Sequence, residues 1–526
     1  MSHFKKQTVL QGVVILAAAN VLVKVLGALF KIPLARLIGT DGMGLFNTSY
    51  TLYTFMFVVA TAGFPVAVSK MVAEAMARSN RAEADKIFYI SLFMLGIIGA
   101  AGSLALFFFA EDFAELIGNS RAYLGIEAIA PAVFFIAVAS AFRGYFQGLQ
   151  NMYPTAFSEL FEAFFKLAAG YFLAERLMSK GVVFSSAGAV LGVTVGTAAS
   201  LVFLAAVFLI FRLKTGKVSG STQPSASIWK ELIRLAVPIT IGAAISSLTN
   251  VVDLLTVMNR LQVIDGITEK TASELYGLYS GYAVTLFNLP LTIIAALSMS
   301  VVPGIASNLA KSNKSGARKM TASSIRLTLL FAIPCAVGLS VMSETILDIV
   351  YKNTEASYLL SVLAVAVVFV SLLSVTNAIL QAYGKMHIPV INMVIGGIIK
   401  VYINYNFIPV LNIIGAPIAT NVCYFVIVVL NFICISKLTE LQFGVWEFYL
   451  KPIAAAAVMA SVIILLDGYV LSALGVKAGG LLLITVGAIV YGVMLLLLRA
   501  VKAEDIKRLP MGGKISDILL KLRLID

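Results

Sequence analysis

Apolar stretches long enough to cross a lipid bilayer recur along nearly the whole 526-residue chain. Hydrophobic residues make up 60% of the sequence and charged residues only 12%, whereas soluble domains are about 45–50% apolar and about 25% charged. A membrane barrel would show segments of about 10 residues with alternating polarity, but these runs are long and unbroken. Because a spanning helix needs about 20 apolar residues, the sequence predicts an all-α polytopic membrane protein with about 14 transmembrane helices.

The loops between these stretches alternate in charge. One set is basic, as at Arg78 and Arg81, and the other set is acidic, as at Glu111 and Asp112. Basic residues accumulate in cytoplasmic loops, so both termini are expected to be cytoplasmic. The net charge of +13 is therefore attributed to membrane orientation, and no nucleic-acid partner is predicted.

A polar loop rich in Gly, Ser and Pro, typical of a linker, separates six predicted spans from the remaining eight. The tail after the last span alternates apolar and basic residues, which suits a helix on the anionic inner leaflet. The predicted segments are an N-terminal six-helix lobe at 1–212, a cytoplasmic linker at 213–230, a C-terminal six-helix lobe at 231–440, two additional transmembrane helices at 441–500 and an amphipathic cytoplasmic tail at 501–526.

The two sets of six spans repeat each other in sequence. The matched positions, which keep a nearly constant offset in numbering, are Gly44 with Gly277, the polar turn 77–86 with 310–319, and Lys166 with Lys400. An even number of spans per copy makes this a parallel repeat, related by an axis along the membrane normal. We therefore expect two six-helix lobes around a central cavity.

The first apolar stretch carries a polar stripe. Asn20, Lys24, Gly27 and Lys31 have the spacing i, i+4, i+7 and i+11, which places them on one helix face. A lysine at membrane depth costs about 2.5–3.5 kcal/mol on insertion scales, so two on one stripe are not expected to face lipid. The stripe either binds an anionic substrate in a water-filled cavity or is satisfied by carboxylates on neighbouring helices.

Further charged groups lie within or beside predicted spans four and five. Glu159, Glu162 and Lys166 share a helix face, and the order of Glu162 and Lys166 favours an i, i+4 ion pair. They line either a cavity or a lobe interface. Arg143, at the cytoplasmic end of the fourth span, can bind phosphate bidentately or serve as a positive-inside anchor.

Spans two and seven add hydroxyl groups and one carboxylate. Tyr50 and Tyr53 belong to a hydroxyl-rich segment that suits sugar binding, although hydroxyls also serve as ordinary interhelical hydrogen bonds. Asp253 is the acid within the core of span seven. Its pairing with Lys24 or Lys31 in one conformational state is a hypothesis.

Motifs for catalysis are missing from the sequence. There are two histidines and three cysteines, without metal or redox spacing, and no Walker loop or HExxH motif. The outer loops are too short for a glycosyl-transfer domain. We therefore predict no catalytic residues, no metal site and no cofactor, and expect the protein not to be an enzyme.

Three stretches, 24–39, 62–70 and 143–162, carry a resemblance to a known group of transporters. With the spans and the parallel repeat, they resemble the multidrug/oligosaccharidyl-lipid/polysaccharide exporter superfamily. Within it the chain is similar to the polysaccharide-exporter branch, which contains the stage V sporulation protein B and MurJ-type lipid II flippases of Firmicutes.

This resemblance implies a monomer in the bacterial plasma membrane that flips undecaprenyl-pyrophosphate-linked oligosaccharide, lipid II or a related cell-wall precursor, to the outer leaflet by alternating access. It implies that Lys24, at the position of a first-helix arginine in MurJ, binds the pyrophosphate. Our leading hypothesis adds Lys31 to this site, although Lys31 has no counterpart of the same charge there. The cavity arginines of spans two and eight are missing, so the lipid is left open.

Two other functions stay open at this point. A cation- or proton-coupled multidrug antiporter of the same superfamily would favour an acid in the first span, where this chain has lysines, and Asp253 is its candidate site. A membrane glycan transferase or ligase would need a catalytic acid or base on an outer loop.

Overall fold

The computed structural model describes residues 9–216, 220, 222–441 and 446–501, and the regular structure within these ranges is helical. The helices are α1 Val9–Thr61, α2 Phe64–Ala77, α3 Arg81–Phe108, α4 Ala110–Ile117, α5 Tyr123–Gly148, α6 Tyr153–Leu177, α7 Val182–Thr215, α8 Ser225–Leu261, α9 Glu269–Tyr276, α10 Val284–Ala310, α11 Lys314–Val341, α12 Ser343–Tyr351, α13 Ser357–Ala364, α14 Ala366–Ala382, α15 His387–Leu411, α16 Gly415–Thr439 and α17 Lys451–Leu497. The predicted all-α membrane class is confirmed.

Seven stretches of the described chain are long and apolar enough to cross a membrane, or eight if a bent pair in α8 is one span. One stretch, His387–Thr439, contains both α15 and α16, and another contains α17, which is broken at Gly475. The count of fourteen spans stays a prediction. Parts of the predicted linker, at 217–219 and 221, and the predicted tail after residue 501 lie outside the described residues.

The chain forms two compact units, Met1–Gly281 and Tyr282–Asp526. In the first unit an aromatic cluster joins α3, α5 and α7, with the Phe88 ring centroid 4.5 Å from that of Phe208 and 4.9 Å from that of Tyr145. Helices α8 and α9, which the sequence repeat assigns to the second lobe, pack within this first unit. The predicted lobes of 1–212 and 231–440 stay a prediction.

The sequence repeat is visible in the helix boundaries. Helices α3 and α11 both contain 28 residues and begin at matched positions of the repeat, Arg81 and Lys314. Helices α6 and α15 both contain 25 residues and begin at Tyr153 and His387, which are separated by the same offset as Lys166 and Lys400. Each copy therefore builds the same succession of helices in these parts of the chain.

The matched polar turns also adopt the same backbone. Ser79 has a φ of 56° and its counterpart Ser312 a φ of 57°, the left-handed conformation that ends a helix. The next residues cap the following helices: the Asn80 side chain accepts from the Glu83 N–H, and the Asn313 side chain accepts from the Gly316 N–H. The Ala-basic-Ser-Asn-basic pattern therefore encodes one helix–turn–helix joint twice.

A row of glycines allows α6 and α7 to approach closely. A Cβ on Gly192 would overlap the backbone of Gly170, and a Cβ on Gly188 would lie 2.9 Å from the Leu173 carbonyl oxygen. In a membrane the hydrophobic effect does not drive helices together, so their association relies on close van der Waals packing. Small residues at a crossing allow this packing. The crossing fixes α6, the helix that carries Glu162 and Lys166.

Gly192→Ala should therefore lower the melting temperature of the purified protein in detergent. The added methyl has no room, and overpacking costs about 1–3 kcal/mol. Gly492→Ala is the matched control, because a Cβ on Gly492 meets no atom within 4 Å and alanine is the better helix former. Equal melting temperatures for the two variants would contradict this account of the α6–α7 crossing.

Candidate functional site

A break in α1 brings two parts of that helix together. Gly39 has a φ of 67°, a conformation that suits glycine and that interrupts the helix. The Lys31 ammonium lies 3.5 Å from the Asn47 side-chain oxygen and 5.5 Å from the centroid of the Tyr50 ring. A straight helix would separate Lys31 from Asn47 by about 24 Å, so this contact depends on the break.

A second lysine reaches the same aromatic ring from α6. The Lys166 ammonium lies 5.8 Å from the centroid of Tyr50, a distance at which a cation is attracted to the ring face. Lys31, Tyr50 and Lys166 are called the lysine–tyrosine cluster below. Within the described part of the chain, no carboxylate lies in ion-pair distance of Lys24, Lys31 or Lys166. Two like charges without a counter-ion form a site that favours an anion.

The rest of the polar stripe on α1 is not covered by other described residues. Asn20 and Lys24 are exposed, and a Cβ on Gly27 would meet no atom within 4 Å. Lys24 lies about 10.5 Å along the helix from Lys31. The predicted pairing of Asp253 with either lysine is not formed within the described residues. Asp253 is buried in α8 and accepts a hydrogen bond from the Tyr279 hydroxyl at 3.0 Å.

Arg143 occupies a different setting from the lysines. Its guanidinium is buried and donates to the Glu162 carboxylate at 2.9 Å, to the Ser200 hydroxyl at 3.0 Å and to the Ser158 hydroxyl at 3.1 Å. This tie joins α5, α6 and α7. Glu162 thus pairs with Arg143, on another helix, and not with Lys166, the partner that the i, i+4 spacing predicts.

The second unit has a corresponding tie built from asparagines. The Asn392 side chain donates to Asn431 at 2.8 Å, and Asn431 donates to Asn377 at 2.8 Å, joining α14, α15 and α16. Asn377 and Asn392 stand where the repeat places the counterparts of Arg143 and Ser158. Two equivalent positions therefore take part in a three-helix tie in both copies, with different chemistry, while the third helix contributes from a different position. A phosphate-binding role for Arg143 stays a prediction.

Two buried polar atoms near the lysine–tyrosine cluster have no hydrogen-bond partner among the described residues. They are the hydroxyl of Tyr53 and one carboxylate oxygen of Glu159. The Tyr53 ring centroid lies 6.1 Å from that of Tyr50. Leaving a buried polar group unpaired costs about 1–3 kcal/mol, so both atoms are suited to a ligand or to water.

Helices α1 and α9 cross with almost no space between their backbones. A Cβ on Gly44 would overlap the carbonyl oxygen of Ser273, and a Cβ on Gly277 would overlap the carbonyl oxygen of Thr40. Thr40 and Ser273 are equivalent in the repeat, as are Gly44 and Gly277, so the contact is reciprocal, as at a two-fold axis. The four residues are called the glycine crossing below.

Arg121, in the turn before α5, contacts the same ends of both helices. Arg121 donates two hydrogen bonds to the carboxylate of Asp41, at 2.7 and 3.0 Å, and its backbone N–H donates to Glu269 at 3.2 Å. The sequence analysis missed both features as a site. In the sequence, the match between Gly44 and Gly277 was interpreted only as part of the repeat. The same match could have indicated this close helix contact.

Comparisons with known proteins bear on this arrangement. A family model described as polysaccharide biosynthesis protein matches residues 9–309, and one described as MatE matches residues 280–406. Stage V sporulation protein B of Bacillus subtilis (strain 168) is 28% identical over 97% of this chain and 99% of that protein. The lipid II flippase MurJ of the same organism is 26% identical over 81% of this chain and 82% of that protein.

Solved structures share the fold. A lipid II flippase MurJ in an inward closed conformation superposes with a TM-score of 0.71 at 17% identity, covering 92% of this chain and 98% of that chain. An inward-facing multidrug resistance MATE family transporter gives a TM-score of 0.63 at 14% identity, covering 78% and 96%. The chain belongs to the polysaccharide biosynthesis protein family, whose model covers residues 9–309.

Proposed function

We propose that this protein is a flippase that moves undecaprenyl-pyrophosphate-linked oligosaccharide, lipid II or a related cell-wall precursor, from the inner to the outer leaflet by alternating access. The observation that carries the proposal is the pair of lysines on one tyrosine ring, Lys31 and Lys166, without a carboxylate partner in the described chain. The sporulation protein and MurJ relatives support it. The protein acts as a monomeric transporter of the bacterial plasma membrane, with cytoplasmic termini, and not as an enzyme.

The cluster suits a diphosphate. Two ammonium groups supply up to six N–H donors, and the Tyr50 ring holds both side chains close together. Lys24, exposed on the same face of α1, gives the anion a first contact before it reaches Lys31. The Tyr53 hydroxyl and the Glu159 carboxylate are free to bind hydroxyl or amide groups of the sugar.

Alternating access needs a contact that closes one side and opens again. The glycine crossing and the contacts of Arg121 with α9 are suited to this, because backbone contacts, one hydrogen bond to Glu269 and the attraction of Arg121 to Glu269 and Glu274 separate without uncovering a large apolar surface. In this proposal they close the outer side while the lysine–tyrosine cluster accepts substrate from the inner leaflet.

A cation-coupled drug antiporter remains the second candidate, favoured by the MatE match over residues 280–406. Its carboxylate would be Asp253, which is hydrogen-bonded to Tyr279. Drug efflux that is lost in Asp253→Asn, by a protein that does not move lipid-linked sugar, would select this alternative.

The first prediction concerns the lysine pair. In a strain depleted of its own lipid II flippase, the wild-type protein should restore growth and Lys31→Ala/Lys166→Ala should not. In proteoliposomes with fluorescent lipid II, each single variant should slow flipping about tenfold or more, since a charged hydrogen bond contributes about 1.5–3 kcal/mol. Lys180→Ala, which removes an exposed lysine just after α6, is the matched control.

The outcomes separate the function from the site. Rescue by wild type and by the double variant, at equal membrane expression, would retain the function and contradict the lysine site. If well-expressed wild type fails to rescue, lipid II is the wrong head group, and another polyprenyl-linked glycan should be tested.

The second prediction concerns the glycine crossing. In a variant without Cys335, Cys423 and Cys434, a cysteine replacing buried Ser273 should react slowly with a membrane-impermeant maleimide applied from outside. Adding Arg121→Gln removes the positive charge that attracts Glu269 and Glu274 of α9 and should raise the labelling rate several-fold, because the open state becomes more populated.

Arg176→Gln is the control for that experiment. Arg176 lies at the end of α6 on the same predicted side and stacks on Phe172, outside the crossing. A labelling rate that does not change with Arg121→Gln would show that the charge of Arg121 does not hold the outer side closed.

The third prediction concerns the driving force. An inside-negative potential favours outward movement of an anion by about 2.3 kcal/mol per charge per 100 mV. Dissipating the potential in proteoliposomes should therefore slow outward flipping of a diphosphate lipid. Unchanged turnover at a demonstrated zero potential would exclude this coupling.

A further inference from the structure

We propose that an anionic phospholipid of the inner leaflet binds in a cavity formed by α3, the end of α7 and the start of α8. This site is separate from the lysine–tyrosine cluster, and the inference does not depend on which substrate the protein moves. The cavity has a volume of about 560 Å³ and is open to the surface. That volume falls in the range of about 300–1,000 Å³ typical of small-molecule sites. The residues that line it include Asp85, Lys86, Tyr89, Phe93, Arg212 and Trp229.

The lining changes from polar to apolar along α3. Lys86 lies near the start of the helix, and Tyr89 and Phe93 follow on the same face at intervals of three and four residues. Phe93 is 64% exposed, and its ring packs edge-on against Trp229, with 6.4 Å between the centroids. Tyrosine and tryptophan concentrate where lipid head groups meet the hydrocarbon. A ligand with a charged head and an apolar tail matches this gradient.

The charges of the cavity favour an anion. The two oxygens of Asp85 are occupied, one by the Tyr145 hydroxyl at 2.6 Å and the other by Arg212. Two cations and one carboxylate line the cavity, which leaves one net positive charge. Basic pockets between helices on the cytoplasmic side are a general mode of binding anionic lipid head groups.

Lys86 has a donor left for a phosphate. Its ammonium donates to the Gln223 carbonyl oxygen at 2.7 Å and to the Thr222 hydroxyl at 3.3 Å, and a lysine has three donors. Because both partners belong to the segment that leads into α8, a lipid phosphate on Lys86 would also hold this segment against α3.

The chain has two tryptophans, so Trp446→Phe leaves Trp229 as the reporter in the cavity. The full-length variant would be reconstituted into phosphatidylcholine bilayers that contain equal small fractions of either brominated phosphatidylglycerol or brominated phosphatidylcholine. Bromine quenches tryptophan on contact. We expect about fivefold preferential quenching by phosphatidylglycerol, the preference that one lysine near an anionic surface supplies.

Lys86→Gln should remove that preference, whereas Lys319→Gln should retain it. Lys319 is the counterpart of Lys86 in the matched polar turns and is exposed in the first turns of α11, so it matches Lys86 in charge and place in the repeat. About 1 M salt should reduce the preference in the unmutated cavity, because it shortens the Debye length to about 3 Å. This salt test does not require any variant of Lys86 to fold.

Equal quenching by the two lipids would overturn the proposal. It would also be overturned by a preference that survives both Lys86→Gln and high salt, since the phosphate would then not be held by the charge of Lys86. Loss of the preference in Lys319→Gln as well would show a general surface-charge effect and no site in the α3–α7–α8 cavity.

Discussion

The break of α1 at Gly39 is the feature on which the candidate site depends. A continuous helix would carry Lys31 about 24 Å away from Asn47. With the break, Lys31 returns to the following segment of α1 and meets Asn47 and Tyr50. The same break precedes Thr40 and Gly44, which pack against α9. One left-handed glycine therefore positions both a cationic cluster and a close helix crossing within the first unit.

The charged side chains in the apolar part of this unit have two kinds of surroundings. Arg143 is buried and fully engaged with Glu162, Ser158 and Ser200, so its charge is compensated inside the protein. Lys31 and Lys166 share the ring of Tyr50 without a carboxylate within ion-pair distance in the described chain. A buried charge is costly unless paired, so the first arrangement stabilises the helices, and we propose that an external anion completes the second.

The two copies of the internal repeat share backbone conformations but differ in the side chains that join their helices. The turns at Ser79 and Ser312 share one conformation, and two pairs of equivalent helices, α3 with α11 and α6 with α15, share their lengths. The ties between helices differ, with an arginine and serines in one copy and asparagines in the other. Lys166 lies beside an aromatic ring, whereas its counterpart Lys400 is 2% exposed within α15. The lysine at this position of the repeat is therefore partly exposed beside an aromatic ring in one copy and buried in the other.

The sequence by itself determined the membrane class, the repeat and the positions of its joints, because apolar length and turn chemistry are local properties. It also singled out Lys31, Tyr50, Lys166, Arg143 and Glu162 as polar groups in apolar spans. It did not determine their partners. Helix spacing predicts an ion pair between Glu162 and Lys166, yet Glu162 pairs with Arg143 on another helix and Lys166 contacts Tyr50. Only the tertiary structure decided these contacts and the crossing of α1 with α9, because each joins residues distant along the chain or across a helix break.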